Sequence, residues 1–329
     1  MLKFLSPLLI LTLVLPVPAL AKERPKKRLV KIGVTQAISH PAYDLDAKGF
    51  EKALAEAGFK EGVNVTYFRQ IAQGRRSQVE KIAQDFVNGR VDLVHSIGTL
   101  ASQAAVRRIK HIPIVFSSAP YPIESGLVPK SRRPNPKTGT NVTGVSDRWP
   151  VDLQFEMYLK FVPRARRWGT IYNAKDLNSI FHVREMRQSA KKFKVQLIEA
   201  MISNPSEAAE AAQFLAGKVQ AIHLTYGSTY ASILDPIVKV CNERKIPVFA
   251  GDVVSVSQGA VAAYGLDYSF IGQLAANRAI RILTGEKPGN IPWGNVPRFN
   301  LAVSEPAARE QGFVIPPDFL KRADRVITE

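Results

Sequence analysis

Fourteen residues invite a chemical reading: Gln36, His40 and Tyr43; Gly98 and Thr99; Ser117 and Ser118; Asn173, Asn178 and Ser179; Thr225, Tyr226 and Ser228; and Asp252. Each follows a β-rich run. In an open parallel sheet ligands collect there, because the next helix presents unpaired N–H groups and partial positive charge. Hydroxyls, amides, phenols, one imidazole and one carboxylate in such places suit non-covalent recognition of a small polar molecule. Each also has a plainer use. Thr99, Asn178 and Asp252 are N-cap types, Ser117 and Ser118 suit turns, Tyr43, Tyr172 and Tyr226 suit packing, and His40 before Pro41 suits a loop.

Covalent and metal chemistry find no such arrangement. The five histidines, His40, His95, His111, His182 and His223, form no H-E-x-x-H pair, and a single cysteine cannot build a metal cluster. There is no G-x-S-x-G elbow, no Walker A sequence and no G-x-G-x-x-G fingerprint. The expectation is a binding protein with no catalytic residue, no metal and no cofactor. Catalytic groups far apart in sequence stay open as an alternative.

The elements that must position these residues alternate. β-rich runs at 29–35, 63–69, 91–95 and 112–116 are interleaved with helical patterns at 44–57, 77–88 and 99–108, up to a Pro-, Gly- and Lys-rich loop ending near Gly139. The pattern then restarts, with helices at 150–161, 178–193, 205–216 and 229–244 and strands at 168–172, 195–201, 221–225 and 246–250. A strand at 261–266, a helix at 270–283, a strand near 300–303 and short helices to 327 are too few for a third domain. The fold class is therefore α/β, with two doubly wound parallel-sheet lobes. The expected division is residues 29–145 with 268–298 in lobe 1 and 146–267 with 299–327 in lobe 2.

The first twenty-one residues read as a secretory signal peptide. Lys3 precedes an apolar run at 8–15, and Ala19-Leu20-Ala21 is a small-x-small cleavage site. Pro7, Pro16 and Pro18 hem in an apolar stretch well short of the roughly 18 residues a span needs. Cleavage after Ala21 leaves about 308 residues, and no cysteine follows the run to take a lipid anchor. The formal charge of +17 becomes +16 on losing Lys3. The basic residues are scattered through a tail, a helix end and loops, which reads as a solvated surface and not a nucleic-acid groove. Cys241 lies on the apolar stripe Tyr230, Ile233, Leu234, Ile237, Val238 and is expected in a core.

Several words of the sequence resemble, in order and spacing, the solute-binding proteins of bacterial ABC importers, type I periplasmic binding fold, in the branch associated with aromatic amino acids. They are Gly33 with Gln36, His40-Pro41-Ala42 and Asp44; Gly49-Phe50; Ile112-Pro113-Ile114-Val115-Phe116; Asn141 through Asp147; Tyr172-Asn173 with Asn178-Ser179; Ile246-Pro247-Val248-Phe249-Ala250 before Asp252; Gly259-Ala260; Tyr264-Gly265 with Asp267-Tyr268; Leu283 through Pro288; and Ile315-Pro316-Pro317. The resemblance covers essentially the whole chain after the signal peptide. It implies three crossovers between the lobes, near Gly144 to Trp149, Asp267 and Asn300. By similarity Thr99 and nearby N–H groups would hold a ligand carboxylate, Asn178 and Ser179 would bond from lobe 2, and Asp252 would pair with an ammonium, the complement a zwitterion needs. The chain departs from many relatives at Ser39 and Tyr121, where they carry acids, and at Thr225-Tyr226-Gly227-Ser228-Thr229, where they carry Thr-Asp-Asn.

The function expected is a monomeric periplasmic protein that captures a small molecule, first an aromatic or other amino acid, by hinge closure. It would deliver that ligand to an ABC permease and its ATPase, with no nucleic-acid partner. An extracytoplasmic ligand sensor for a membrane receptor is the alternative. A repressor of the same fold would need a helix-turn-helix, which residues 1–28 do not contain.

Overall fold

The computed structural model describes residues 29–131, 136–225, 227 and 230–329, so the signal peptide and the tail to residue 28 lie outside the described residues. The first half of the chain runs β1 (Val30–Gln36), α1 (Pro41–Glu56), β2 (Val65–Ile71), α2 (Arg76–Asn88), β3 (Leu93–Ile97), α3 (Thr99–Arg108), β4 (Ile114–Ser117) and β5 (Val142–Ser146). The second repeats the scheme with α4 (Val151–Phe161), β6 (Arg167–Asn173), α5 (Leu177–Lys192), β7 (Gln196–Ile202), α6 (Ala208–Ala216), β8 (Ala221–His223), α7 (Tyr230–Arg244), β9 (Val248–Asp252) and β10 (Ala262–Leu266). It closes with α8 (Tyr268–Leu283), β11 (Gly294–Asn295), β12 (Asn300–Ser304), α9 (Glu305–Glu310), α10 (Pro317–Arg322) and β13 (Arg325–Ile327).

These strands form two sheets, one in each lobe. In lobe 1 the order is β11-β5-β4-β3-β1-β2, all parallel; in lobe 2 it is β13-β12-β10-β9-β8-β6-β7, with β12 antiparallel to β10. In both lobes the first strand, β1 or β6, sends the chain outward to the edge and then back to its other side. The order thus reverses between β1 and β3 and again between β6 and β8, and helix N-termini diverge at such points to leave a crevice. Residues 147–150, Asp267 and residues 296–299 carry the chain between the sheets.

Sequence periodicity located these elements to within a few residues, with informative errors. The helix expected from residue 44 begins at Pro41, because His40 is extended (φ −153°, ψ 135°) and its ring caps the helix, with proline at the first turn. The strands expected at 91–95 and 246–250 end two residues further on, at Ile97 and Asp252, because they continue through polar Ser96 and up to Asp252. The helix expected from 205 opens as a 3₁₀ turn, Pro205–Glu207. Strands β5, β11 and β13 were not anticipated. Apolar periodicity does not mark V-T-G-V-S as a strand, yet β5 is buried along its whole length and pairs with β4.

Packing explains the Gly49-Phe50 word together with Gly272. A Cβ on Gly49 would lie 2.1 Å from the Ser269 carbonyl oxygen, and one on Gly272 would lie 2.0 Å from that of Asp46. The two glycines let the backbones of α1 and α8 touch, and this clasp ties a helix reached only after lobe 2 back onto lobe 1.

Candidate functional site

On the lobe 1 side the site is built at the ends of β1 and β3. His40 Nδ1 accepts the Ala42 N–H at 3.0 Å, so the neutral ring carries its proton on Nε2 and presents a donor. Burial lowers the His40 pKa from its ordinary value, against the pull of the Asp252 carboxylate from lobe 2 and of Asp44. The Tyr43 ring lies 5.5 Å from that of His40. Gly98 precedes α3 at φ 86°, and a Cβ there would come within 3.0 Å of the Tyr43 hydroxyl. Glycine therefore suits both the left-handed backbone and the approach of the phenol.

On the lobe 2 side the end of β6 does the equivalent work. Asn173 Oδ1 accepts the Lys175 N–H at 2.9 Å, and Asp176 Oδ1 accepts the Asn178 N–H at 2.8 Å to cap α5. The Asn178 side chain then reaches across the cleft. Its Nδ2 donates to Thr99 Oγ1 at 3.1 Å, joining the two lobes directly, and both residues are buried. Ser179 is buried beside them, and a Cβ on Gly227 would fall 2.2 Å from its Oγ. Asp252 ends β9 with both carboxylate oxygens engaged by Ser255: Oδ2 accepts the hydroxyl at 2.7 Å and Oδ1 the backbone N–H at 3.1 Å. Burial raises its pKa, while the Ser255 hydroxyl and the charge of His40 oppose the rise.

Beside the Thr99–Asn178 bond lies a cavity of about 310 Å3 between the lobes. Tyr43, Thr99 and Asn178 line it, together with three cations absent from the sequence-based set, Arg76, Arg107 and Lys175. Their signal was available, since Arg76 opens α2 after β2 and Lys175 follows β6, but surface arginines and lysines are too common in this chain to stand out. Arg107 is held by Glu80. Asp176 also lines the cavity, so Arg76 and Lys175 leave its wall with a net positive formal charge.

His40, Gly98, Asn173, Ser179 and Asp252 are not among its lining residues, and other expected residues are turned away from it. Ser117 Oγ pairs with His95 Nε2 at 2.8 Å, and Ser118 donates to Asp46 Oδ2 at 2.5 Å; all four side chains are fully buried inside lobe 1. Burial drives the Asp46 carboxyl up to about 7 and the His95 imidazole down to about 3. Thr225 Oγ1 pairs with Thr170 Oγ1 at 2.5 Å in the lobe 2 core. Gln36 is buried, donating to the Tyr43 carbonyl at 3.4 Å, with Oε1 unpartnered. Tyr226 and Ser228 lie outside the described residues. Cys241 is a core residue, its thiol pushed up to about 12 by burial. Among the described residues no cluster of three or more His, Cys, Asp or Glu could hold a metal ion, and no helix is long and apolar enough to cross a membrane.

Comparison with known proteins adds four findings. A sequence profile of the ABC transporter substrate binding proteins matches residues 31–327. The chain is 35% identical over 284 residues to the tyrosine-binding protein of Clostridioides difficile (strain R20291), spanning 86% of this chain and 81% of the relative. Among solved structures, an ABC domain from Streptococcus pneumonia in complex with L-Trp superposes with a TM-score of 0.84 at 29% identity, covering 91% of this chain and 100% of the other. The ligand-free, open structure of a substrate binding protein with adhesive properties from Clostridium difficile gives 0.74 at 32% identity, covering 92% and 100%.

Proposed function

This chain belongs to the ABC transporter substrate-binding protein family, whose members bind solutes and are not enzymes, and we propose that it captures an amino acid, first an aromatic one, in the interlobe cleft. On this reading it is an exported, monomeric protein, cleaved after Ala21, that closes about its three crossovers and hands the ligand to an ABC permease and its ATPase from the periplasm. On the same reading lobe 1 comprises residues 29–145 with 268–298, and lobe 2 residues 146–267 with 299–327. The observation that carries the reading is the Thr99–Asn178 bond, which joins the switch points of the two sheets at the edge of a cavity.

The chemistry follows from the groups that face one another. His40 Nε2–H, Thr99 and the first N–H groups of α3 supply donors for a carboxylate, and Arg76 and Lys175 supply a field that attracts it. Asp252 supplies the anion for an ammonium, and Tyr43 a ring face for an apolar or aromatic side chain. Asn178 and Ser179 close from lobe 2. Ser117, Ser118 and Thr225, whose hydroxyls are committed inside the lobes, support the walls and are withdrawn from the contact set. Support for an aromatic ligand comes from relatives, one called tyrosine-binding and one solved with L-Trp. Titration calorimetry of residues 22–329 with L-tyrosine, L-tryptophan and L-phenylalanine tests the reading; no heat from any of the three removes the aromatic class.

A further inference from the structure

The side of α5 that begins at Asn178 continues along the helix. Asn178, Phe181 and Glu185 follow at spacings of three and four, which puts them on one face, and each meets a residue from outside lobe 2. Asn178 bonds Thr99. The Phe181 ring lies 5.2 Å from that of Tyr121, tilted by 50°. Glu185 Oε2 accepts the Tyr121 hydroxyl at 3.2 Å, while Oε1 pairs with the guanidinium of Arg148. Arg148 belongs to the first crossover and lies with its guanidinium carbon 5.6 Å over the Tyr121 ring. Tyr121 itself comes from the loop after β4 and is only 4% exposed. Two parts of the molecule that separate when the cleft opens, the loop after β4 and helix α5, thus meet in one cluster against the crossover.

We propose that Tyr121, Arg148 and Glu185 form a latch that holds the lobes closed at the hinge end of the cleft, apart from any ligand contact, and so sets how long a ligand stays enclosed. The latch rests on the hinge closure proposed above. Its parts differ in weight. A phenol donating to a carboxylate in a mostly buried place is a charge-assisted bond, stronger than a neutral one. Burial, with the nearby charge of Glu185, raises the Tyr121 pKa, so the phenol remains a donor at any physiological pH. The Arg148–Glu185 pair is half exposed on the arginine side and contributes little by itself; it keeps the carboxylate aimed at Tyr121. Opening would leave the phenol without its partner and unstack two aromatic rings. Superposition of the whole chain is better on the L-Trp complex, with a TM-score of 0.84, than on the open, ligand-free relative, at 0.74, although the latter is slightly closer in sequence.

Spin labels attached through Lys81→Cys on α2 and Gln213→Cys on α6, with Cys241 buried and unreactive, report open and closed populations by electron–electron double resonance, without ligand and with L-tryptophan. Tyr121→Phe keeps the ring against Phe181 and removes only the hydroxyl; Glu185→Gln keeps the shape and removes the charge. Tyr121→Phe should lower the closed-to-open ratio about three- to tenfold, the effect of one lost hydrogen bond, and Glu185→Gln, whose amide oxygen still accepts from the phenol, should lower it by less. The double variant should fall no further than Tyr121→Phe, because both act on the same contact. An unchanged ratio in both single variants, additive effects in the double variant, or a wild-type chain with no closed component would each overturn the latch. The ratio is read without ligand, so a failure of L-tryptophan to bind would count against the proposed ligand and not against the latch.

Discussion

Asp252 shows how one side chain can serve both the fold and the site. Ser255 holds it at both oxygens, and it caps the 3₁₀ turn Val253–Gln258, so an alanine there would remove cap and charge together. Asn keeps an oxygen for the Ser255 N–H and removes the charge. Asp252→Asn should therefore weaken amino-acid binding about tenfold, the loss of a charge-assisted contact being worth roughly 1.5 to 3 kcal/mol, with a nearly unchanged melting temperature. Calorimetric affinity equal to wild type would take Asp252 out of the site.

The Asp46–His95 cluster makes a separate statement about pH. Asp46 is raised from 3.8 to about 7, so its stabilising contribution is fully present below pH 3.8 and is lost as pH rises toward 7. His95 is lowered from 6.5 to about 3, so its contribution is present above pH 6.5 and is lost as pH falls toward 3. The two slopes oppose each other between about pH 4 and 6.5 and largely cancel. Asp46→Asn removes one of them. Its unfolding free energy relative to wild type should rise with pH across that window, by up to about 1.4 kcal/mol per pH unit; denaturant titrations giving a pH-independent difference would contradict a neutral Asp46. Nothing in the sequence marked this cluster. Asp46 reads as a helix-surface acid until β4 brings Ser118 against it, and Ser117 and Ser118 read as cleft residues until their hydroxyls are seen pointing inward.

At the scale of elements, the helices were legible because their apolar faces repeat at the helical period, as in Val79, Ile82, Ala83 and Phe86 of α2, all buried. Strands were legible where apolar residues dominate and illegible where the strand carries the site or packs through small residues. In β5, Gly144 is imposed by Phe116, whose carbonyl oxygen would lie 2.3 Å from a Cβ, and the same small residue hides the strand from a pattern search. β11 and β13 are two- and three-residue edge strands that only tertiary pairing creates. The contact of α1 with α8 was visible only as a Gly-Phe word. Gly49→Ala should push these helices apart and destabilise by about 1 to 3 kcal/mol, as overpacking does. Gly217→Ala, with helical backbone and open space around it, should change stability by less than about 0.5 kcal/mol. Urea denaturation showing equal effects at the two positions would refute the clasp.

For the whole molecule, two sheets with matching reversals of strand order set two groups of helix N-termini against each other, and the chain crosses between them three times. That architecture was legible from the restart of the α/β pattern after the loop ending near Gly139. The pairing of Thr99 with Asn178 was not, since residues 79 apart in sequence meet only through the fold. The basic charge, scattered over the surface, is compatible with a small anionic or zwitterionic ligand drawn to a cavity edged by Arg76, Arg107 and Lys175. The most direct test is a calorimetric titration of L-tyrosine and L-tryptophan into residues 22–329 and into the Thr99→Val variant, which removes the hydroxyl bonded to Asn178. The account predicts one-to-one saturable binding by the wild type and an affinity lower by about three- to tenfold in the variant, the cost of one hydrogen bond. Binding of equal strength in both proteins would place the ligand elsewhere, and no binding to either would contradict capture of an aromatic amino acid in the cleft.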